Sequence, residues 1–272
     1  MVSLVRIIVK SRVVSLLLYY PATLIIVAVG TIMATVLPSY YALIPELVLS
    51  LAFVYLLARL RRGLGIGYLY VVVILIIVLI SFASVFIIRP EIILSKALTE
   101  MRQNVIKGFT YIIIYLFTSL LPDSATDLVG TLPIFVLVTA IAILEFRLRY
   151  YLLAGVVTGV LGIGVSTVVL SMIYDRLVVT YGLSAATMGL MGSILTASFM
   201  GLIEGPRRFV HLLNFLLTLY TVYESLWLLI PIPPVLIIDG VGINRLGHFA
   251  SFLAGLIIAI FITQKTNLAL NE

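Results

Sequence analysis

The sequence predicts an all-α protein, a polytopic bundle of membrane helices, and three observations predict it. Of its 272 residues, 63% are hydrophobic and only 10% are charged, with a mean hydropathy of +1.28. So little charge cannot cover the surface of a water-soluble domain. Apolar windows of about 20 residues, the length a helix needs to cross hydrocarbon, recur along the chain. Short clusters of lysine and arginine stand at the ends of those windows rather than forming a stripe. The net charge of +6 and pI near 9.5 therefore read as topology signals, and nucleic acid is not an expected partner.

The windows fall at roughly 13–37, 41–60, 66–88, 127–146, 150–173, 183–203, 209–231 and 246–264, which predicts eight spans. The first begins near Val13 and runs past Pro21 to Leu37. It is longer than the apolar part of a secretion signal, so it is expected to stay as a span. Pro21, Pro38 and Pro45 mark possible kinks or a re-entrant turn in the first two windows. Residues 89–126 differ. Arg89, Glu91, Lys96, Glu100, Arg102 and Lys107 precede the apolar run from Phe109 to Leu121, which predicts a long loop with an amphipathic stretch at the membrane surface. There is no clear internal repeat. One membrane domain is the simplest reading, with residues 1–62 as a two-helix addition and residues 63–272 as the main body.

Lysine and arginine favour cytoplasmic loops. With the N-terminus inside, the inner set is Arg6, Lys10, Arg12, Arg59, Arg61, Arg62, Arg147, Arg149, Arg207, Arg208 and Lys265. The outer set is Arg89, Lys96, Arg102, Lys107, Arg176 and Arg245, so the division is 11 against 6. The expected product is a multi-pass protein with both termini in the cytoplasm, in the cell membrane of a prokaryote.

Zero cysteines exclude disulfides, thiolate ligands and cysteine nucleophiles. With only two histidines, His211 and His248, an all-histidine metal site is excluded too, and no metal or organic cofactor is implied.

Two segments carry residues suited to chemistry. The sixth window opens Tyr181-Gly182-Leu183-Ser184-Ala185-Ala186-Thr187-Met188-Gly189-Leu190-Met191-Gly192. Ser184 near a helix N-terminus would face unpaired backbone N–H groups and the positive end of the dipole, where an oxyanion is stabilised. The glycines would let another helix approach closely. Serine is also a common helix cap, and such glycines are common packing devices. The last window opens Asn244-Arg245-Leu246-Gly247-His248. His248, Ser251 and Gly255 recur at helical spacing on one face. An ionisable residue inside a membrane is a functional suspect, although one near a span end can also reach interfacial water. Both segments run inward from the outer side, so Ser184 and His248 share a depth. An imidazole within hydrogen-bond reach is the usual base for a serine nucleophile.

These residues resemble the rhomboid intramembrane serine proteases. The match is Gly182-Leu183-Ser184-Ala185, continuing through Gly189 and Gly192, with His248, Ser251 and Gly255 on the last helix. Phe117-Thr118-Ser119-Leu120, Leu144-Glu145-Phe146-Arg147 and Tyr150-Tyr151-Leu152-Leu153 look like landmarks around the family's second core helix. The resemblance covers about residues 66–264. It implies a six-helix core behind two extra N-terminal helices. It also implies an endopeptidase that cuts transmembrane-helix proteins near the outer face of the lipid bilayer, with Ser184 as nucleophile and His248 as base. The sequence departs from the family at Ala185, where a glycine is usual, and at Asp127 and Thr131, where a histidine and an asparagine help hold the oxyanion. The Thr131 hydroxyl and backbone N–H groups around Ser184 would then form that hole. The departures leave open a rhomboid-like protein that binds transmembrane clients without cutting them.

Glu224 falls inside the seventh window, where an unpaired acid costs several kcal/mol, so a structural hydrogen bond is expected. Together with Asp239 it suggests the remaining alternative, a small-solute transporter. His211, beside Arg207 and Arg208, reads as interfacial, Glu145 with Arg147 as a solvated loop, and Trp227 as an interface anchor. Pro231, Pro233 and Pro234 end a helix before a loop to Gly242, a candidate outer cap or gate over a mobile wall spanning 209–244.

Overall fold

The computed structural model describes residues 12–87, 90–122, 124–175, 178, 182–204, 208–238 and 241–268. Arg6, Lys10, Arg89, Arg176, Tyr181, Arg207 and Asp239 lie outside the described residues, as do the side chains of Glu91 and Lys265. The chain is an all-α polytopic helix bundle. Its helices are α1 (Arg12–Val36), α2 (Ser39–Leu64), α3 (Tyr68–Ile87), α4 (Pro90–Met101), α5 (Val105–Thr118), α6 (Ala125–Glu145) and α7 (Leu148–Ile173). They continue with α8 (Leu183–Glu204), α9 (Arg208–Glu224), the short α10 (Leu226–Leu229) and α11 (Arg245–Leu268). A two-stranded antiparallel hairpin, β1 (Val235–Ile238) and β2 (Val241–Asn244), precedes α11 and pairs Val235 with Asn244.

Among the described residues seven helices are long and apolar enough to cross a membrane: α1, α2, α3, α6, α7, α8 and the Arg245–Ile262 part of α11. The chain is thus a multi-pass membrane protein. The window expected at 209–231 is the exception. It forms α9, 17 residues long, and then breaks at Ser225 (φ −91, ψ 4) before the four residues of α10. That backbone is non-helical, and Pro231 soon follows. Glu224 is correspondingly the last residue of α9 with its side chain exposed, not an acid buried within a span. Pro21 and Pro45 lie inside continuous helices, and Pro38 caps α2, so the first two windows are two full helices rather than a re-entrant turn. The expected loop at 89–126 contains the helix pair α4 and α5. Asn104 starts α5 by accepting from the Lys107 N–H at 3.1 Å, and Lys107 pairs with Glu100 at 3.1 Å.

The chain divides into two compact units. Unit 1 comprises Met1–Ile87 with Ser124–Leu144, and unit 2 comprises Ile88–Asp123 with Glu145–Glu272. In unit 1, α1 packs on α2 and α2 on α3. The Tyr19 hydroxyl donates to the Ala140 carbonyl of α6 at 3.0 Å. In unit 2, α11 lies against both α7 and α8, and α9 leans on α8. Lipid gives helices no hydrophobic reason to associate, so small residues and interhelical hydrogen bonds must hold them. The contact of α8 with α11 has both. A Cβ on Gly192 would run into the Phe252 carbonyl, and one on Gly255 into the Gly189 carbonyl. Ser193 Oγ donates to Gly255 O at 3.1 Å, and Thr196 Oγ1 to Leu256 O at 3.3 Å.

Candidate active site

Ser184 is the second residue of α8. Gly182 turns the chain into that helix with φ +129, a conformation L side chains rarely adopt. Its N–H donates to the Ser119 carbonyl at 2.8 Å. The stretch Phe117 to Leu120 therefore holds the turn that presents the serine. Ala185 and Ala186 pack with Leu94, Tyr115, Leu120 and Ile163 in one apolar cluster. The α4 and α5 pair is thus part of the serine's support, and the methyl of Ala185 is taken up in that cluster. Tyr115 adds a hydrogen bond to Thr167 of α7 at 3.0 Å.

His248 stands one turn into α11 and is 6% exposed. Asn244 fixes the start of this helix: its Oδ1 accepts from the Gly247 N–H at 2.9 Å and its Nδ2 donates to Ser166 Oγ of α7 at 2.8 Å. The backbone of Leu246 donates to Pro234 O at 3.2 Å, and Arg245 Nη1 to Ile232 O at 3.0 Å. Arg245, counted above as an outer charge, is buried in this joint. The loop expected after Pro231 is in part the β hairpin, tied to the histidine helix. Apolar β-branched runs either side of Asp239-Gly240 are the signal for such a hairpin.

Ser184 Oγ and His248 Nε2 lie 2.8 Å apart. For Nε2 to accept the hydroxyl proton, Nδ1 must carry the imidazole's own hydrogen. Nδ1 is buried with no hydrogen-bond partner among the described residues. The constellation is thus a dyad in which helix packing orients the imidazole. The glycines and Ser251 serve that packing: Gly162 of α7 faces Ser251 Oγ, Gly189 lies under Thr158, and Gly255 faces α8. At the helix start, Ala185 N–H donates to Gly182 O at 3.2 Å. The N–H groups of Leu183 and Ser184 precede any helical acceptor.

Thr131, a candidate for the oxyanion hole, belongs to α6 in unit 1, where its hydroxyl donates to Asp127 Oδ1 at 3.4 Å. Among the described residues no three His, Cys, Asp or Glu converge as a metal site would require.

A second polar centre was misread in the sequence. Glu145 is not a solvated loop residue: its side chain is 2% exposed. It accepts from Ser198 Oγ of α8 at 3.0 Å and from Asn214 Nδ2 of α9 at 2.6 Å, and its Oε2 lies 2.9 Å from His211 Nδ1. The His211 ring rests on Gly201. His211 is therefore paired with Glu145 rather than free. The sequence signal was the helical spacing of His211 and Asn214, but their acceptor lies 66 residues from His211 along the chain.

No family model matches this chain, and neither does any curated protein or solved structure.

Proposed function

We propose that the chain is an intramembrane serine endopeptidase of the rhomboid kind. The observation that carries this reading is the 2.8 Å contact of Ser184 Oγ with His248 Nε2 at the head of two membrane helices. Ser184 Oγ attacks the carbonyl carbon of a substrate peptide bond while His248 Nε2 takes its proton. The tetrahedral oxyanion sits against the backbone N–H groups at the start of α8. His248 then passes the proton to the leaving amine, leaving an ester on Ser184. Water attacks that ester with His248 again as base, which releases the acid product and the serine. The substrate is a transmembrane helix opened near the outer face of a prokaryotic cell membrane. Both termini of the enzyme are cytoplasmic, α9 and α10 together making the return crossing from the end of α8 to the head of α11, which stands beside the head of α8.

A fluorophosphonate probe tests the reading on the folded, detergent-solubilised chain. Labelling of wild type that is lost in both Ser184→Ala and His248→Ala supports the protease. Its absence in folded wild type overturns it and leaves the client-binding, non-cutting alternative, for which Ala185 and Asp127 speak.

A further inference from the structure

In unit 1, α1 and α2 pack together and each buries polar side chains. The inward face of α1 consists of Ser15, Tyr19, Thr23 and Gly30, one stripe of the helix, while Leu17, Ile25 and Ile32 face outward. From α2, Glu46 and Ser50 turn inward, one turn apart. Tyr19 has the Ala140 carbonyl as acceptor. Thr23 Oγ1, Ser50 Oγ and Glu46 Oε1 have no partner among the described residues, although all are buried. Glu46 is 2% exposed. The residue opposite it is Gly30, and the missing side chain makes room for the carboxyl. A Cβ there would stand 3.1 Å from Glu46 Oε1, 3.2 Å from Oε2 and 3.4 Å from Pro133 Cγ of α6.

A carboxylate in this place would need a counter-charge, and these helices offer none nearby. Arg12 opens α1, 18 residues before Gly30, or about 27 Å along the helix. Arg59 lies 13 residues beyond Glu46, or about 20 Å. Besides Glu46, the titratable groups turned at least partly inward are Arg12, Tyr19 and Tyr20 on α1, Arg61 on α2, Tyr70 on α3 and Asp127 on α6. Of these only Arg12 and Arg61 carry a positive charge, and each stands more than about 20 Å along its helix from Gly30 or Glu46. On α2, Tyr40, Tyr41 and Tyr55 face outward. A hard metal ion asks for about six oxygen ligands, and the described residues contain no cluster of three ionisable ligands. A proton requires one oxygen.

We propose that Glu46 is a proton-binding site, a neutral carboxylic acid enclosed beside Gly30 and Pro133. The site is independent of the Ser184 and His248 chemistry. Ionising it requires α1 to lift Gly30 away and admit water.

The test treats the 272-residue chain in detergent micelles with dicyclohexylcarbodiimide, to whose central carbon a protonated carboxyl in apolar surroundings adds, its proton passing to the carbodiimide nitrogen, and in parallel with a water-soluble carbodiimide. Peptide mass spectrometry locates the adducts, with exposed Glu224 as the internal comparison. The expected result is an adduct on Glu46 from the apolar reagent alone, formed more slowly as the pH is raised and lost in Glu46→Gln. An unmodified Glu46 in folded protein overturns the proposal, as does equal labelling by the soluble reagent. Protection by sodium, potassium or calcium at constant pH also overturns it, since the occupant would then be a metal cation. The decisive readings are made on the wild-type chain, so no variant has to fold for the proposal to fail.

Discussion

The α-carbon of Gly255 in α11 lies so close to the Gly189 carbonyl of α8 that a methyl group on Gly255 would overlap that oxygen. The two helices that carry His248 and Ser184 meet through bare backbone. Gly255→Val forces them apart and is expected to cost about 1–3 kcal/mol or more. Thermal melting will show a lower midpoint, and fluorophosphonate labelling of Ser184 will fall with it. Unchanged melting and labelling would remove this contact from the account.

His248→Ala leaves Ser184 without its base and is expected to slow labelling of the folded fraction by about 10²–10⁴-fold, beyond the loss of stability that emptying its buried site causes. In wild type the labelling rate falls on acidification, because an imidazolium cannot accept the serine proton. A stopped time course over a pH series checks both outcomes.

Asn244 caps α11 and ties it to Ser166. Asn244→Ala is expected to cost about 0.5–2 kcal/mol and to slow labelling beyond what the lost stability explains, because His248 stands on the first turn of that helix. Asn244→Asp keeps the acceptor for Gly247 N–H and should recover much of the rate. Identical rates in the two variants would refute a positioning role.

Glu145 receives hydrogen bonds from two elements in a buried place. Glu145→Ala leaves Asn214 and Ser198 without their acceptor and is expected to destabilise by about 3–5 kcal/mol. Denaturation of Glu145→Gln should show a smaller loss, since an amide oxygen still accepts from Asn214.

Ala185→Gly tests the departure from the rhomboid pattern. The Ala185 methyl packs with Leu94, Tyr115 and Ile163, so its removal is expected to lower stability by about 1 kcal/mol without accelerating Ser184. A large rate gain would mean that the methyl obstructs the substrate.

What the sequence by itself determined is the membrane-spanning, all-helical character and the place of most helices, because about 20 apolar residues can satisfy their backbone in lipid only as a helix. Ser184 and His248 were also legible, since each opens an apolar helix beside small residues. Only the tertiary structure decided the rest. Whether Glu145 is solvated or buried depends on Ser198, His211 and Asn214, which come from distant helices, and no local spacing records that meeting. The room for Glu46 is made by Gly30 on another helix. The break at Ser225 and the β hairpin tied to Arg245 depend on backbone geometry that hydropathy does not register. The window rule reports the cost of meeting lipid, residue by residue, whereas a polar group's fate inside the bundle is set by which partners packing brings within hydrogen-bond distance.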